Sequence, residues 1–182
     1  MRLFIALDLP AGRRRELAAW RDAELRERTD LRPVGEEALH VTLVFLGARP
    51  ENAVAALWEC AAGAAASCPS PVLIPTGVAP VPARRPRLFA LDLSDEGGRA
   101  ADLHRAVVGA LAGAGLHEPE ARPFWPHVTL ARLRRGARPR GWSPAEPWAH
   151  PFTSSALTLY ESEPGRAGAR YRVLERLELA TS

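Results

Sequence analysis

Two histidines in this 182-residue chain sit in the same tetrapeptide, His40-Val41-Thr42-Leu43 and His127-Val128-Thr129-Leu130. Valine and leucine at alternate positions mark each copy as a β-strand, where successive side chains point to opposite faces. Histidine and threonine then share one face, and the apolar pair seats under the core. Two imidazoles and two hydroxyls converging on one cleft would suit displacement at phosphorus. In-line attack needs a base beside the incoming oxygen and an acid beside the departing one, and an imidazole with an ordinary pKa near ~6.5 can fill either role. Threonine hydroxyls can donate to the non-bridging oxygens, where charge gathers in the transition state. The residues alone leave open which histidine is acid and which is base. A metal site is the competing reading of paired histidines. It is disfavoured because neither motif has a nearby carboxylate or a helical His-x-x-x-His spacing. No metal and no cofactor are expected. His104, in a predicted helix, and His117 and His150, in loops, have no duplicated partner and are not expected to be catalytic.

The elements that must position these residues are themselves repeated. Residues 2–9 read RLFIALDL and residues 87–93 read RLFALDL, an offset of 85, while the two HVTL strings are offset by 87. Two unrelated strings recurring in one order at nearly one spacing imply duplicated halves, about 1–80 and 84–182, within a single domain. In the first half, alternation predicts strands at 2–8, 40–46 and 72–78. A helix is expected from Pro10 to about Arg28, and a second over about 51–66, opening with Glu51 where the helix dipole favours an acid. The second half carries strands at 86–93, 127–133, 153–161 and 170–179, a helix over about 98–114, and a loop at 134–151. Strand-rich halves with a few helices predict an α+β, bilobal fold. Two antiparallel sheets would face a central cleft, with the helices outside.

Composition narrows the partners. The chain is 47% hydrophobic and 25% charged, as in ordinary globular proteins, and no apolar run approaches the ~20 residues of a membrane span. The start turns acidic at Asp8 and reads as a strand, so a cytoplasmic location is expected; a monomer is the expected state, although no residue pattern bears on oligomerisation. Cys60 and Cys68 make neither a disulfide framework nor a four-ligand zinc site. All 24 basic residues are arginine, which reflects codon usage before mechanism. Arg132, Arg134, Arg135, Arg138 and Arg140 cluster without an acid; such a run usually marks a solvated loop, and its place directly after the second motif raises the alternative of a phosphate-facing patch.

At these residues the chain resembles the two-histidine phosphoesterases, whose hallmark is a pair of His-x-Thr-x motifs. It is more closely similar to the LigT-like RNA 2′,3′-cyclic phosphodiesterases. The resemblance rests on RLFIALDLP at 2–10, LHVTLVFLG at 39–47, RPFWPHVTLAR at 122–132, and LTLYES…GARYRVL from 157 to 174, and so covers essentially the whole chain. It implies hydrolysis of a terminal 2′,3′-cyclic phosphate on RNA or nucleotides to a 2′-phosphate, without metal. His40 would protonate the departing 3′ oxygen, and His127 would activate water. Thr42 and Thr129 complete the catalytic set. Arg132 matches a phosphate-holding arginine, although regular alternation from His127 puts it on the wrong face of the strand. The equivalent position after His40 is Phe45, either a core residue or a stacking surface for a base. Pro126 holds Trp125 extended before the second motif. Alternatives within the same chemistry are 2′–5′ RNA ligation and 2′–5′ cleavage. From a different class, the chain could be a non-catalytic nucleotide- or RNA-binding module.

Overall fold

The structure, a computed structural model, describes residues 1–165 and 168–180. Among these residues the chain forms nine strands and three α-helices: β1 (Arg2–Asp8), α1 (Ala11–Glu24), β2 (Leu31–Pro33), β3 (His40–Ala48), α2 (Val54–Ala65), β4 (Val72–Val81), β5 (Leu88–Asp95), α3 (Arg99–Gly113), β6 (His127–Leu133), β7 (Phe152–Thr153), β8 (Ala156–Glu163) and β9 (Arg170–Glu178). The strands are antiparallel and run in the order β7-β4-β5-β6-β3-β1-β8-β9, with β2 pairing the end of β6, Ala131 to Leu133, beyond its one pair with β3. The fold is α+β, as the alternation implied.

One lobe is β3-β1-β8-β9 and the other is β6-β5-β4-β7. They meet where β3 and β6 touch, through the pair Val41–Val128. The lobes are not the two stretches of sequence. β4 crosses over to pair with β5, and β8 returns to pair with β1. The first repeat therefore lends β4 to the other's sheet, and the second lends β8 with β9. Equivalent strands nevertheless keep equivalent places, because β3-β1-β8 mirrors β6-β5-β4.

Between Arg2 and Asp8, β1 is a continuous apolar run because both of its faces are covered, so it does not alternate. Leu3, Ile5 and Leu7 join the main core with Leu17, Leu57, Ala61, Leu103, Val41 and Val128, so the helices cover that face. Phe4 and Ala6 lie on the other face, in a small cluster with Tyr160. α3 turns Ala100, Leu103, Val107 and Leu111 inward at helical spacing, and Asp95 accepts from the backbone N–H groups of Ala100 and Ala101 at 2.9 Å to cap its first turn.

Three local expectations are corrected. α1 ends at Glu24, not near Arg28, because Arg28 is held beyond it by both oxygens of Asp30 at 2.8 Å. The strand expected over 153–161 is two: β7 closes the edge of β4, and β8 pairs with β1. The three-residue β2 was too short to show a period. No described helix is long and apolar enough to cross a membrane.

Candidate active site

The Val41–Val128 pair organises the centre. Both valines are sealed in the core, so His40, Thr42, His127 and Thr129 occupy the opposite face. The strands run antiparallel through that pair, which sets His40 on the Thr129 side and His127 on the Thr42 side. The structure thus brings all four motif residues together.

Each motif strand then breaks its alternation at the same point. β1 pairs Ile5 with Val44 and Ala6 with Thr42, leaving Leu43 as an extra residue on β3. β5 pairs Phe89 with Ala131 and Ala90 with Thr129, leaving Leu130 extra on β6. These are β-bulges, and each shifts the side-chain parity of the residues that follow. Leu43 and Val44 are both buried, as are Leu130 and Ala131. Phe45 and Arg132 are turned onto the histidine face. The objection that Arg132 pointed the wrong way is answered by the bulge. Phe45 is 58% exposed, so the core reading of that residue is overturned.

His40 lies among aromatic rings. Phe4 stacks on it at 4.9 Å, Tyr160 lies at 5.8 Å, and Tyr171 meets it edge-on at 5.3 Å. Burial pushes its pKa down to about 4, and the charges of His127 and Arg132 add to the shift while the Ala38 backbone opposes it. Its Nδ1 is buried and makes no well-formed hydrogen bond among the described residues. The strand beside it carries Asp8, whose carboxylate accepts from Thr158 Oγ1 at 2.9 Å and Tyr160 Oη at 2.7 Å and pairs with Arg176 at 3.5 Å. Asp8 thereby fixes the Tyr160 ring against Phe4 and His40.

His127 is held differently. Trp125 stacks on it at 4.1 Å, and the Trp125 carbonyl lies 2.9 Å from Nδ1. A carbonyl only accepts, so Nδ1 carries the hydrogen and the neutral ring keeps its lone pair on Nε2. The Trp125 indole in turn donates to Asp92 Oδ1 at 2.6 Å, and Thr76 donates to Asp92 Oδ2 at 3.0 Å. Burial lowers the His127 pKa, while the Trp125 carbonyl and the Asp92 charge pull it back up.

Two cavities lie near the motif residues, the first lined by His127 and the second by Tyr171, which packs on His40. One, of about 430 Å³, is lined by Thr42, Phe45, Phe124, Trp125 and His127, with His104 and His117 farther along. The other, of about 450 Å³, is lined by Arg32, Arg132, Arg170, Tyr171, Glu37 and the loop around Gly168. His104 stacks on Phe124 at 4.6 Å, a packing role in the first cavity's wall. His150 packs edge-on to Trp148. The arginine-rich loop is neither simply solvated nor simply a phosphate-facing patch. Arg134 donates to the Leu31 carbonyl, and Arg140 pairs with Asp30 at 3.3 Å. Arg28 and Arg140 hold the Asp30 carboxyl well below the usual carboxylate range. Among the described residues, no three His, Cys, Asp or Glu side chains come together as metal ligands.

Asp8 and Asp92 were missed, although a signal was present: each ends its copy of the repeated RLF(I)ALD string, and each is the register partner of a motif histidine. Tyr160, Tyr171 and Arg32 had no comparable signal.

A duplicated His-x-Thr face shared between two lobes defines the class, a two-histidine phosphoesterase. The sequence profile of the 2′-5′ RNA ligase superfamily matches residues 9–165. A relative from Escherichia coli K12 named RNA 2′,3′-cyclic phosphodiesterase is 31% identical over 184 residues, spanning 98% of this chain and 96% of its own. One of the same name from Thermus thermophilus is 34% identical over 185 residues, spanning 98% and 90%. Among solved structures, one from T. thermophilus aligns with a TM-score of 0.79 at 29% identity, covering 100% of this chain and 99% of its own. E. coli LigT complexed with 3′-AMP aligns with a TM-score of 0.76 at 29% identity, covering 99% and 98%. The chain belongs to the 2′-5′ RNA ligase superfamily.

Proposed function

We propose that this chain is an RNA 2′,3′-cyclic phosphodiesterase that opens a terminal cyclic phosphate to a 2′-phosphate by metal-independent acid–base catalysis. The observation that carries the reading is the shared face of His40, Thr42, His127 and Thr129 across the Val41–Val128 pair. His127, with its lone pair on Nε2, takes a proton from water as the water oxygen bonds to phosphorus. The P–O3′ bond breaks on the far side, and His40 gives its proton to the 3′ oxygen. An anionic phosphate in the cleft favours the imidazolium form of His40, countering the burial that lowers its pKa in the open site. Thr42 and Thr129 donate to the non-bridging oxygens, and Arg132 neutralises their charge. Phe45 offers its exposed ring to the base. The site is completed within one chain, in keeping with a monomer acting on RNA ends.

The superfamily's description favours one further reaction of the same site. A 5′-hydroxyl in place of the attacking water would form a 2′–5′ linkage through the same proton transfers. The test is product analysis after incubation of a cyclic-phosphate-ended oligoribonucleotide, alone and with a 5′-hydroxyl oligonucleotide. A 2′-phosphate product supports hydrolysis, and a longer 2′–5′-linked product adds ligation. Tight binding of the oligonucleotide with neither product would overturn the enzymatic reading in favour of a binding module.

A further inference from the structure

Arginine is the only basic residue type in this chain, so its presence alone says little and its partners say more. Elsewhere on the surface arginines sit beside carboxylates, as Arg13 with Glu16, Arg105 with Asp102 and Arg172 with Glu161. Two segments depart from that pattern. The turn between β4 and β5 carries Arg84, Arg85 and Arg87, and the loop after β6 carries Arg135 and Arg138. All five are exposed, and none of their side chains makes a hydrogen bond or ion pair among the described residues. Neither segment contains an acid. Asp30 lies beside the loop, but Arg28 already holds both of its oxygens at 2.8 Å.

The two segments form one ridge. Leu88 pairs with Arg132 in the ladder, the Leu133 N–H donates to the Arg87 carbonyl at 2.8 Å, and the Arg87 N–H donates to the Val81 carbonyl at 2.8 Å. Arg84 and Pro86 line a cavity with Pro139 and Arg140, so the outer parts of the segments also meet. Pro82 and Pro86 bracket Arg84 and Arg85 and stiffen the turn. Like charges gathered this way repel one another, and an approaching anion offsets the cost. The ridge continues the active site. β6 leaves the join at Val128, passes Thr129 and Arg132 on the histidine face, and ends at Leu133, a rise of about 17 Å.

We propose that the ridge of Arg84, Arg85, Arg87, Arg135 and Arg138 binds the phosphate backbone of the RNA that leads back from the cyclic end, without regard to its sequence. This rests on the cyclic phosphodiesterase reading above. Among the described residues, the large apolar side chains that are exposed are Phe45, Trp125 and Val173, and none of them is on the ridge. The ridge therefore offers no ring for a base to stack on and no wedge for a membrane. Its guanidinium groups recognise phosphate by charge and paired hydrogen bonds. They lie beyond the terminal nucleotide, so a short substrate leaves them unused.

The test compares kcat/KM on a dinucleotide and on an RNA of about ten nucleotides, a length that a basic single-strand track can cover, both ending in a 2′,3′-cyclic phosphate. At about 50 mM salt wild type is expected to prefer the longer RNA by about 20-fold, shrinking towards one at about 200 mM, as for three phosphates held at a slope of ~0.7 each. Arg84→Gln/Arg85→Gln and Arg135→Gln/Arg138→Gln each lower that ratio and flatten its salt dependence, and Arg84→Lys/Arg85→Lys retains both. The ratio is taken within one protein preparation, so a loss of folded enzyme cancels. Wild-type turnover without preference, or a ratio unchanged in both Gln variants, overturns the proposal alone. A preference that survives high salt, or that follows the sequence of the upstream bases, also overturns it. An unchanged RNA ratio with lost binding to phosphatidylglycerol vesicles in the variants overturns it too, and assigns the ridge to a membrane. Turnover of neither substrate sinks the phosphodiesterase reading and this proposal together.

Discussion

Val41 and Val128 face each other where the two lobes join, and neither is exposed to solvent. Each is flanked by its own histidine and threonine, so this apolar pair sets the separation of the two imidazoles. Val128→Ala removes about two buried methylene equivalents and leaves a cavity, for a loss of about 2 kcal/mol in denaturant unfolding. Loosened motif strands misplace the acid and base, and kcat should fall by about tenfold or more with a smaller change in KM. Unaltered kcat would show that the join does not position the histidines.

The pH dependence follows from burial of both imidazoles. Catalysis needs one of the pair neutral and the other protonated, and the profile reports the apparent values of the coupled pair. The His40 value is pushed down to about 4 and that of His127 is also lowered, so both limbs of kcat/KM in the free enzyme lie below the ordinary 6.5. The optimum of kcat/KM is therefore expected below about pH 6.5, with decline towards about pH 8. Bound phosphate favours both imidazolium forms, so the kcat optimum is displaced upward. The same shifts bear on stability. Below about pH 6.5 the unfolded chain takes up protons that the folded chain refuses, so stability present above that pH is lost as pH falls towards about 4. A kcat/KM optimum above about pH 7 would contradict the account.

Asp92 reaches His127 through Trp125, by the 2.6 Å hydrogen bond to the indole and by its charge. Asp92→Asn removes the charge and should lower the His127 pKa further, seen in the NMR titration of its ring protons. Trp125→Phe loses the anchored indole and should lower kcat more than it raises KM. A rise in the His127 pKa on removing the carboxylate would refute this relay.

Phe45 and Arg132 occupy equivalent positions after equivalent bulges but differ in chemistry, and their variants should separate. Phe45→Ala removes a stacking ring worth about 1–3 kcal/mol per base and should act mainly on KM. Arg132→Gln removes charge stabilisation of the transition state and should lower kcat by about 100-fold. Steady-state kinetics on one cyclic-phosphate substrate distinguish the two, and similar kcat–KM patterns would deny the division of labour.

Much of this was legible in the chain. The duplicated HVTL strings showed which side chains share a face, because a strand has only two. The bulges were also written there, as the apolar doublets Leu43-Val44 and Leu130-Ala131 that interrupt alternation at the same point in both copies. They were harder to see because a doublet in isolation also fits a fully buried strand. The exchange of β4 and β8 between the lobes was not legible, since local pattern carries no information about which distant edge a strand joins. The arginine run was ambiguous for a related reason. Nothing local distinguishes a guanidinium destined for phosphate from one destined for Asp30. β2, with Arg32 at its centre, escaped because three residues cannot show a period.

The most direct test is hydrolysis of a 2′,3′-cyclic-phosphate-ended oligoribonucleotide in EDTA by wild type, His40→Ala and His127→Ala. The account predicts release of a 2′-phosphate by wild type, with each variant slowed at least ~100-fold, as expected for a lost acid or base. Undiminished hydrolysis by either variant, or wild-type activity that vanishes in EDTA and returns with added metal, would contradict it.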